Sequence, residues 1–414
     1  MCLPFSLTRS QLCSTRFLTK NSEHTQGVQG NGQQPGSQDC IWSSDGVPGF
    51  SCPASAWWKN DAFRAHHNLQ RNDFPGADDS WIEDRLFSQL AIEAVPVLHP
   101  LTPFLRRELE ALVPRPASEL APVRPIGAGG RTVNCHGTIL EFSTSGALDR
   151  LTFRGSGSPW SRLMDLRYLK YRPLDRKGVV CNESTCPNPA AGVHAPTLLG
   201  FRSGGGQSCR AVLELGFDES LHRKYGAPSS VTAEYVIDPV AKRLNVSLTW
   251  RNKTATRMQE SLAVYHRPFA RAGHRWEMDV LGEWTSPANV TSGGQQYAHA
   301  LWTGVRYTTA GAAPRGLWLG TADAAMACPV LNQVADSALT PEDSLLNACK
   351  QDIPQASGQQ QRITDAMLDG LGITLHANLF TISGYPQWYP FGVAGANYQE
   401  EDETTMFRFT IEER

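Results

Sequence analysis

The feature that most constrains the fold is a long series of short apolar runs within residues 131–414. In most runs apolar and polar residues alternate, and glycine, proline, asparagine or aspartate separates one run from the next. A period of two predicts strands with one buried face, and turn residues at such intervals predict hairpins. The predicted strands cover residues 138–142, 148–153, 211–217, 231–237, 243–250, 262–265, 298–307, 316–321, 372–380 and 405–411.

No helical pattern alternates with these strands, which argues against βαβ units and a parallel sheet. The sequence therefore predicts a mainly β protein, a large antiparallel β-sandwich (supersandwich-like) preceded by a short helical segment. Two long polar stretches, residues 173–208 and 328–361, are predicted to be loops.

Changes in composition divide the chain into four predicted segments. They are a disordered, transit-like leader (1–54), a helical hairpin or three-helix segment (55–112), a Pro/Gly linker (113–130) and the β-sandwich domain (131–414).

Two patterns indicate helices in the second segment. Ser80 and Glu83 form a capping box, which is typical of a helix start. A further helix is predicted over residues 103–112, with Phe104 and Leu109 on its inner face.

The charge balance narrows the classes of partner. Lysine and arginine total 38 against 40 acidic residues, so the formal net charge is -2 and a basic surface for nucleic acid is not expected. No apolar stretch approaches the length needed to span a bilayer. We therefore expect no nucleic-acid partner and no transmembrane segment.

The ten cysteines do not follow the spacing of a zinc ribbon, because only Cys181 and Cys186 lie close together. That pair is a candidate for a disulfide that closes a small loop, or for two free thiols. Cys328 and Cys349 bracket a polar stretch and are candidates for a second bridge.

Candidate glycosylation sites favour a secretory or extracellular location. Four Asn-x-Ser/Thr sequons occur, at Asn182, Asn245, Asn252 and Asn289. The first twenty residues contain basic and hydroxyl side chains but no acid, a composition typical of organelle transit peptides. Import into an organelle is therefore the alternative.

Three charged residues lie between the predicted strands 243–250 and 262–265. They are Lys253, Arg257 and Glu260, in a connection that is expected to face solvent. Such a trio can be a structural ion-pair network or a polar binding surface, and the structural role is the more common one.

Several short elements follow one another in a defined order. They are DSWIEDR at 79–85, GTILEF at 137–142 with SGAL at 145–148, NKTATRMQE at 252–260, LHANLF at 375–380, YPQWYPF at 385–391 and FRF at 407–409. In this order they resemble the C-terminal half of an uncharacterised group of α-mannosidase-like proteins related to glycoside hydrolase family 38. The resemblance covers roughly residues 57–414.

The resemblance implies a non-catalytic β-sandwich portion of a glycoside hydrolase of carbohydrate metabolism. In that family zinc and the attacking aspartate lie in an N-terminal β/α domain with a His-x-Asp motif, and this sequence contains no His-x-Asp triplet. We therefore expect no catalytic residue, metal site or cofactor in this chain, and zinc only in the missing catalytic domain. Loops of the family's sandwich line the sugar cleft, which implies carbohydrate contacts at Lys253, Arg257, Glu260, His266, Tyr385 and Trp388.

Other classes of function stay open. A stand-alone carbohydrate-binding or partner-binding module would use exposed tryptophans, although tryptophan more often fills a core. The candidates are Trp276, Trp284, Trp302, Trp318 and Trp388. A complete enzyme would instead use Glu260, His266, Asp279, Glu283 or His299.

The resemblance also implies a surface for a partner. Without the catalytic domain, the helical segment is expected to expose an apolar face. That face would bind a separate catalytic domain or a second copy of the chain.

Overall fold

A computed structural model gives the fold of the chain. It describes residues 91–111, 124–125, 131–170, 192–204, 209–253, 260–291, 296–311, 313–334, 337–338, 340, 344–345, 362–378 and 404–414. These residues form mainly antiparallel β-structure, which confirms the predicted fold class.

The described residues contain two complete helices, α1 (Leu101–Ala111) and α2 (Glu219–Tyr225), and a 3-10 turn at Asp365–Met367. The strands are β1 (Arg124–Pro125), β2 (Thr132–Cys135), β3 (Thr138–Phe142), β4 (Leu148–Thr152), β5 (Trp160–Leu163), β6 (Asp165–Lys170), β7 (Gly192–His194), β8 (Thr197–Gly204), β9 (Arg210–Gly216), β10 (Ser230–Asp238), β11 (Arg243–Arg251), β12 (Glu260–His266), β13 (His274–Val280), β14 (Glu283–Thr285), β15 (His299–Ala300), β16 (Gly304–Thr309), β17 (Gly316–Thr321), β18 (Met326–Leu331), β19 (Gln333–Val334), β20 (Ser337–Ala338), β21 (Leu368–Asn378) and β22 (Thr405–Glu413).

Three large antiparallel sheets organise these strands. The ten-stranded sheet has the order β1-β8-β9-β10-β11-β22-β17-β16-β13-β14, and the six-stranded sheet the order β15-β18-β21-β12-β6-β7. The four-stranded sheet runs β2-β3-β4-β5, and β19 and β20 pair as a short hairpin.

One continuous core joins the three large sheets. Trp250 and Tyr235 come from the ten-stranded sheet, Leu262 from the six-stranded sheet and Trp160 from the four-stranded sheet, and all four are buried. Their alternate neighbours on the strands of the ten-stranded sheet point outward, as the period of two predicts. That sheet therefore has an inner face toward the core and an outer face.

The six-stranded sheet is covered on both faces. All seven residues of its strand β12 are buried. Leu262 and Val264 belong to the main core, whereas Ala263 and Tyr265 belong to a second cluster with Met326. A strand that is buried on both faces loses the alternating pattern, which explains the continuous apolar run within this strand.

Each predicted strand overlaps an observed one, and the stretch 298–307 is divided by a turn into β15 and β16. The predicted loop at 173–208 was wrong in part, because β7 and β8 lie within it. Most residues of β8 are only half-buried, so no apolar alternation marks this strand in the sequence. The predicted loop at 328–361 begins inside β18, which was also missed.

The helical segment is described only in part. Helix α1 occupies nearly the predicted residues 103–112, but Phe104 and Leu109, expected on its inner face, are 46% and 41% exposed. The leader and the capping box lie outside the described residues. Within the predicted linker, β1 pairs with β8 at the edge of the ten-stranded sheet.

A membrane-crossing helix would have to be both long and strongly apolar. No helix among the described residues meets these two conditions.

Candidate functional site

Two of the three charged residues predicted between strands 243–250 and 262–265, Lys253 and Glu260, meet at the beginning of β12. Glu260 is its first residue and pairs with Lys170 at the end of β6. Lys253 follows β11 in the ten-stranded sheet, and His376 lies on β21 beside β12. With Tyr168 of β6 these residues form what we call the Glu260 cluster, and the side chains of its charged members have no exposed surface.

Glu260 is the centre of the cluster. Its Oε1 accepts a hydrogen bond from Lys253 Nζ at 2.5 Å and lies 3.3 Å from His376 Nε2. The Tyr168 hydroxyl contacts Glu260 Oε2 and also lies 2.8 Å from the carbonyl oxygen of Tyr225. Both carboxylate oxygens therefore have hydrogen-bond partners inside the protein.

Helix α2 places Tyr225 against one side of the Glu260 cluster. Asp218 caps the helix by accepting a hydrogen bond from the Ser220 amide at 2.7 Å. Gly226 ends it in the left-handed conformation, with φ of 74°. Tyr225 is thus fixed at the last helical position, where its ring centroid lies 5.1 Å from Lys170 Nζ.

The ionisation of the cluster follows from burial and from opposite charges. Burial raises the pKa of Glu260, but Lys253, His376 and Lys170 outweigh that effect and lower it to about 2. Burial lowers the pKa of Lys253, and Glu260 opposes that shift. At neutral pH we therefore describe Glu260 and Lys253 as an ion pair, since the carboxylate also accepts hydrogen bonds.

Lys170 differs from Lys253 in its environment. Burial is the largest influence and lowers the pKa of Lys170 to about 7; Glu260 opposes the shift and Lys253 adds to it. Burial and Glu260 together raise the pKa of Tyr168 well above its usual value, so its hydroxyl stays protonated. The cluster thus combines one stable ion pair with one lysine that changes protonation near neutral pH.

Among the described residues the arrangement is a buried hydrogen-bond network around one ion pair. Glycoside hydrolysis needs two carboxylates that face one bond of a bound substrate, and the Glu260 cluster contains a single carboxylate without exposed surface. The expectation that Lys253 and Glu260 lie in a solvent-facing connection was wrong. Lys253 lies just after β11 of the ten-stranded sheet and Glu260 begins β12 of the six-stranded sheet, so their side chains meet between the sheets.

Of the remaining predicted contact residues the structure describes His266, which does not contact Glu260. His266 ends β12 and is 1% exposed; its Nδ1 lies 3.5 Å from the Met164 amide, and its Nε2 has no hydrogen-bond partner in the described structure. Burial lowers the pKa of His266 to about 3, so the ring is neutral. Arg257, Tyr385 and Trp388 lie outside the described residues.

The other residues considered for catalysis have structural partners or face solvent. Asp279 accepts a hydrogen bond from the Gly282 amide at 2.8 Å and another from the Thr303 hydroxyl. His299 Nε2 lies 3.1 Å from the Gln296 carbonyl oxygen. Glu283 is exposed at the start of β14. Asp279 and His299 thus have separate hydrogen-bond partners among the described residues.

The structure contains a disulfide that the spacing of cysteines did not reveal. Cys135 of β2 and Cys209 before β9 are joined, with Cα atoms 5.3 Å apart and a sequence separation of 74. It links the four-stranded sheet to the ten-stranded sheet. Together with His136 the two sulfur atoms are close enough for a metal site, but disulfide sulfurs are not the thiolates that zinc binds.

The predicted bridges stay predictions. Cys328 takes part in a disulfide, while its predicted partner Cys349 lies outside the described residues. Cys181 and Cys186 also lie outside them.

Three of the four sequons fall on described residues. Asn245, Asn252 and Asn289 all have exposed side chains, which is the condition for carrying a glycan. Asn182 lies outside the described part of the chain. Glycosylation itself stays a prediction.

The tryptophans occupy different environments. Trp276 is 3% exposed and fills the core, as tryptophan commonly does. Trp302 is 64% exposed, and Trp284 and Trp318 are half-buried on the outer face of the ten-stranded sheet. The core-filling interpretation was therefore wrong for these three.

Comparison with solved structures gives a likeness to an α-mannosidase. No family model matches the sequence, and no curated protein matches it. A solved structure of an α-mannosidase from Enterococcus faecalis V583 aligns with a TM-score of 0.38 at 10% sequence identity. The alignment covers 70% of this chain and 30% of that protein. A likeness of this size does not show membership in glycoside hydrolase family 38.

Proposed function

We propose that this chain is a non-catalytic β-sandwich portion of an α-mannosidase-like glycoside hydrolase, which binds a separate catalytic domain through helix α1. The observation that carries the proposal is the exposed apolar face of this helix. The ordered sequence elements that resemble the family supply the identity of the partner. Zinc and the attacking carboxylate would belong to that partner.

The apolar face of α1 follows from its sequence. Leu101, Phe104 and Leu109 recur at helical spacing and are 53%, 46% and 41% exposed. Val97 and Leu98, just before the helix, are 74% and 96% exposed. Together these five residues form what we call the α1 surface, and an apolar surface of this kind is typical of a binding interface.

The length of α1 and the exposure of its residues also favour a partner that covers this helix. The helix has eleven residues, a length at which an isolated helix is only marginally stable in water. Of its residues, Thr102 alone is buried, and it donates a hydrogen bond to the Pro96 carbonyl oxygen at 2.9 Å. A partner that covers the α1 surface would supply the packing that such a helix normally receives from tertiary structure.

The Glu260 cluster supports a non-catalytic role for the sandwich interior. Its ionised groups are paired with each other and have no exposed surface. A substrate therefore cannot reach them without opening the space between the two large sheets. Their arrangement suits the structural role that such clusters commonly have.

The test measures association and activity together. We expect the purified chain to self-associate at high concentration in light scattering, because the α1 surface is uncovered. The triple variant Leu101→Ser, Phe104→Ser, Leu109→Ser should be monomeric. A matched control, Arg106→Ser with Glu110→Ser, changes exposed polar residues of the same helix and should associate like the unmodified chain.

Activity is assayed with an aryl α-mannoside and added zinc. We expect no hydrolysis by this chain alone. Zinc-dependent hydrolysis that survives repurification would overturn the non-catalytic role. A monomeric unmodified chain at high concentration would count against docking through α1.

A further inference from the structure

A groove crosses the outer face of the ten-stranded sheet on the side away from the Glu260 cluster. It has a volume of about 250 Å³ and runs over strands β16, β17 and β22 toward β14. Its floor is a pair of glycines, since Gly304 of β16 is the cross-strand partner of Gly320 of β17. Two neighbouring strands thus lack a side chain at the same position, and this creates the depression.

The two floor glycines are not equivalent. Gly304 has φ of 150°, and a Cβ atom there would lie 2.2 Å from the Leu319 carbonyl oxygen, so only glycine fits. A Cβ atom at Gly320 would first meet the Thr410 Cβ at 3.5 Å, an ordinary van der Waals contact. The fold therefore requires Gly304, whereas Gly320 leaves space that an alanine could fill.

Two tryptophans form the walls of the groove. Trp318 lies on β17 and Trp284 on β14, and both line the cavity. The guanidinium of Arg306 lies 4.4 Å from the ring centroid of Trp284 and 5.9 Å from that of Trp318. Arg306 is itself held by Glu277, with Nε donating to Oε2 at 2.7 Å. Cation–π contacts with Arg306, and with Arg414 at 5.2 Å from the Trp318 centroid, help to hold the two rings in place.

Polar groups surround the aromatic walls. The groove is also lined by the hydroxyl residues Thr303 and Thr410 and by the charged residues Glu412 and Arg414. Glu412 Oε2 accepts a hydrogen bond from Arg414 Nε at 2.7 Å, and the Arg414 side chain is 58% exposed. Carboxylate, guanidinium and hydroxyl groups thus offer both hydrogen-bond donors and hydrogen-bond acceptors at the edge of the groove.

We propose that this groove binds one hexopyranose residue of a glycan. One side of a pyranose ring presents C–H groups that pack on an aromatic face, and its hydroxyl groups need donors and acceptors at the rim. The volume lies below the range of about 300–1,000 Å³ that is usual for drug-sized ligands, which fits a single ring better than an oligosaccharide. The inference does not rest on the proposed function, because α1 is not part of the groove.

One source of such a sugar lies on the chain itself. Asn245 of β11, an exposed sequon residue, is the cross-strand partner of Thr410, which is in turn the partner of Gly320. A glycan on Asn245 would thus start on the same outer face, two strands from the groove floor. The other source is a glycan on a separate molecule, and both present the same pyranose chemistry.

The first experiment uses the protein without glycans. Titration calorimetry measures whether it binds methyl α-mannoside or N-acetylglucosamine, which serve as probes. We expect binding of at least one probe. Trp318→Ala should weaken it by about tenfold or more, the effect of removing an aromatic anchor. Gly320→Ala should also weaken it, because the added methyl fills the floor without backbone strain. Trp302→Ala removes an exposed tryptophan outside the groove and should leave binding unchanged.

The second experiment separates the two sources. Chain secreted by a glycosylating cell is compared with its Asn245→Gln variant. If the chain's own glycan occupies the groove, the secreted chain will not bind the probes, whereas Asn245→Gln and endoglycosidase-trimmed chain will. Equal binding by all three forms assigns the groove to a separate glycan.

Two results would overturn the inference that the groove binds a sugar. If neither probe binds the unglycosylated chain, and trimming the secreted chain leaves its tryptophan fluorescence unchanged, the groove holds no sugar. Equal loss of binding in Trp318→Ala and Trp302→Ala would place any binding elsewhere. None of these results bears on the association of the chain through the α1 surface.

Discussion

The inner and outer faces of the ten-stranded sheet use the same kinds of charged residue in opposite ways. On the inner side the Glu260–Lys253 pair has no exposed surface. On the outer side Glu412 and Arg414 form a pair whose side chains are 17% and 58% exposed. Burial makes the inner pair essential to the integrity of the fold, because an unpaired buried charge is strongly unfavourable. Exposure leaves the outer pair available to a ligand.

Neutralising Glu260, the centre of the Glu260 cluster, should lower the stability of the protein most. We expect Glu260→Gln to lower the free energy of unfolding by about 3–5 kcal/mol, since it leaves Lys253 buried without its counter-ion. Urea unfolding followed by tryptophan fluorescence measures the change. A loss below about 1 kcal/mol would show that the cluster is not the structural centre described above.

An intermediate loss of stability is expected when Glu277 is substituted. This residue lies on the outer face and holds Arg306 beside the groove. Its side chain is 5% exposed and accepts hydrogen bonds from Arg275 and Arg306, each at 2.7 Å. Glu277→Gln should lower the free energy of unfolding by about 1.5–3 kcal/mol, the range for hydrogen bonds to charged groups. The same urea experiment measures it, and a loss as large as that of Glu260→Gln would remove the distinction between the two faces.

The pH dependence of the free energy of unfolding should reveal the protonation of Lys170 in the Glu260 cluster. Burial lowers the pKa of Lys170 in the folded chain to about 7, from 10.5, so the unfolded chain binds more protons between these values. Stability should therefore rise with pH in this window, with a slope of at most about 1.4 kcal/mol per pH unit from this one group. Urea unfolding at several pH values measures the slope.

The control for that slope is Lys170→Met, which keeps the approximate length of the side chain and removes its charge. Its slope between pH 7 and 10.5 should be smaller than that of the unmodified chain. Identical slopes would mean that Lys170 has no depressed pKa in the folded protein.

The smallest effect is expected for an exposed ion pair outside both regions. Glu141 and Arg150 lie 3.4 Å apart on the four-stranded sheet, with side chains 39% and 50% exposed. Glu141→Gln should change the free energy of unfolding by less than about 0.5 kcal/mol. It serves as the reference for the two glutamate variants above, and a larger loss would show that burial does not rank these sites.

The sequence determined the strands whose two faces differ. In β10, β11 and β22 apolar residues face the core and polar residues face outward, so the alternation is visible without a structure. It also grouped Lys253, Arg257 and Glu260 as a trio that could form an ion-pair network, and the structure pairs Lys253 with Glu260. Half-buried strands such as β8, and the seven buried residues of β12, lack that alternation and were predicted less well.

Only the tertiary structure decided what the charged residues and the tryptophans do. Residues 253 and 260 are close in sequence, but the space between the two sheets that receives their side chains is formed by distant strands, among them those of Tyr168 and His376. The groove likewise depends on the cross-strand register that places Gly304 opposite Gly320 and Asn245 opposite Thr410. Gly304 and Gly320 lie on consecutive strands, but Asn245 and Thr410 are far apart in the chain, and the alternation within a strand does not show which distant strand it pairs with.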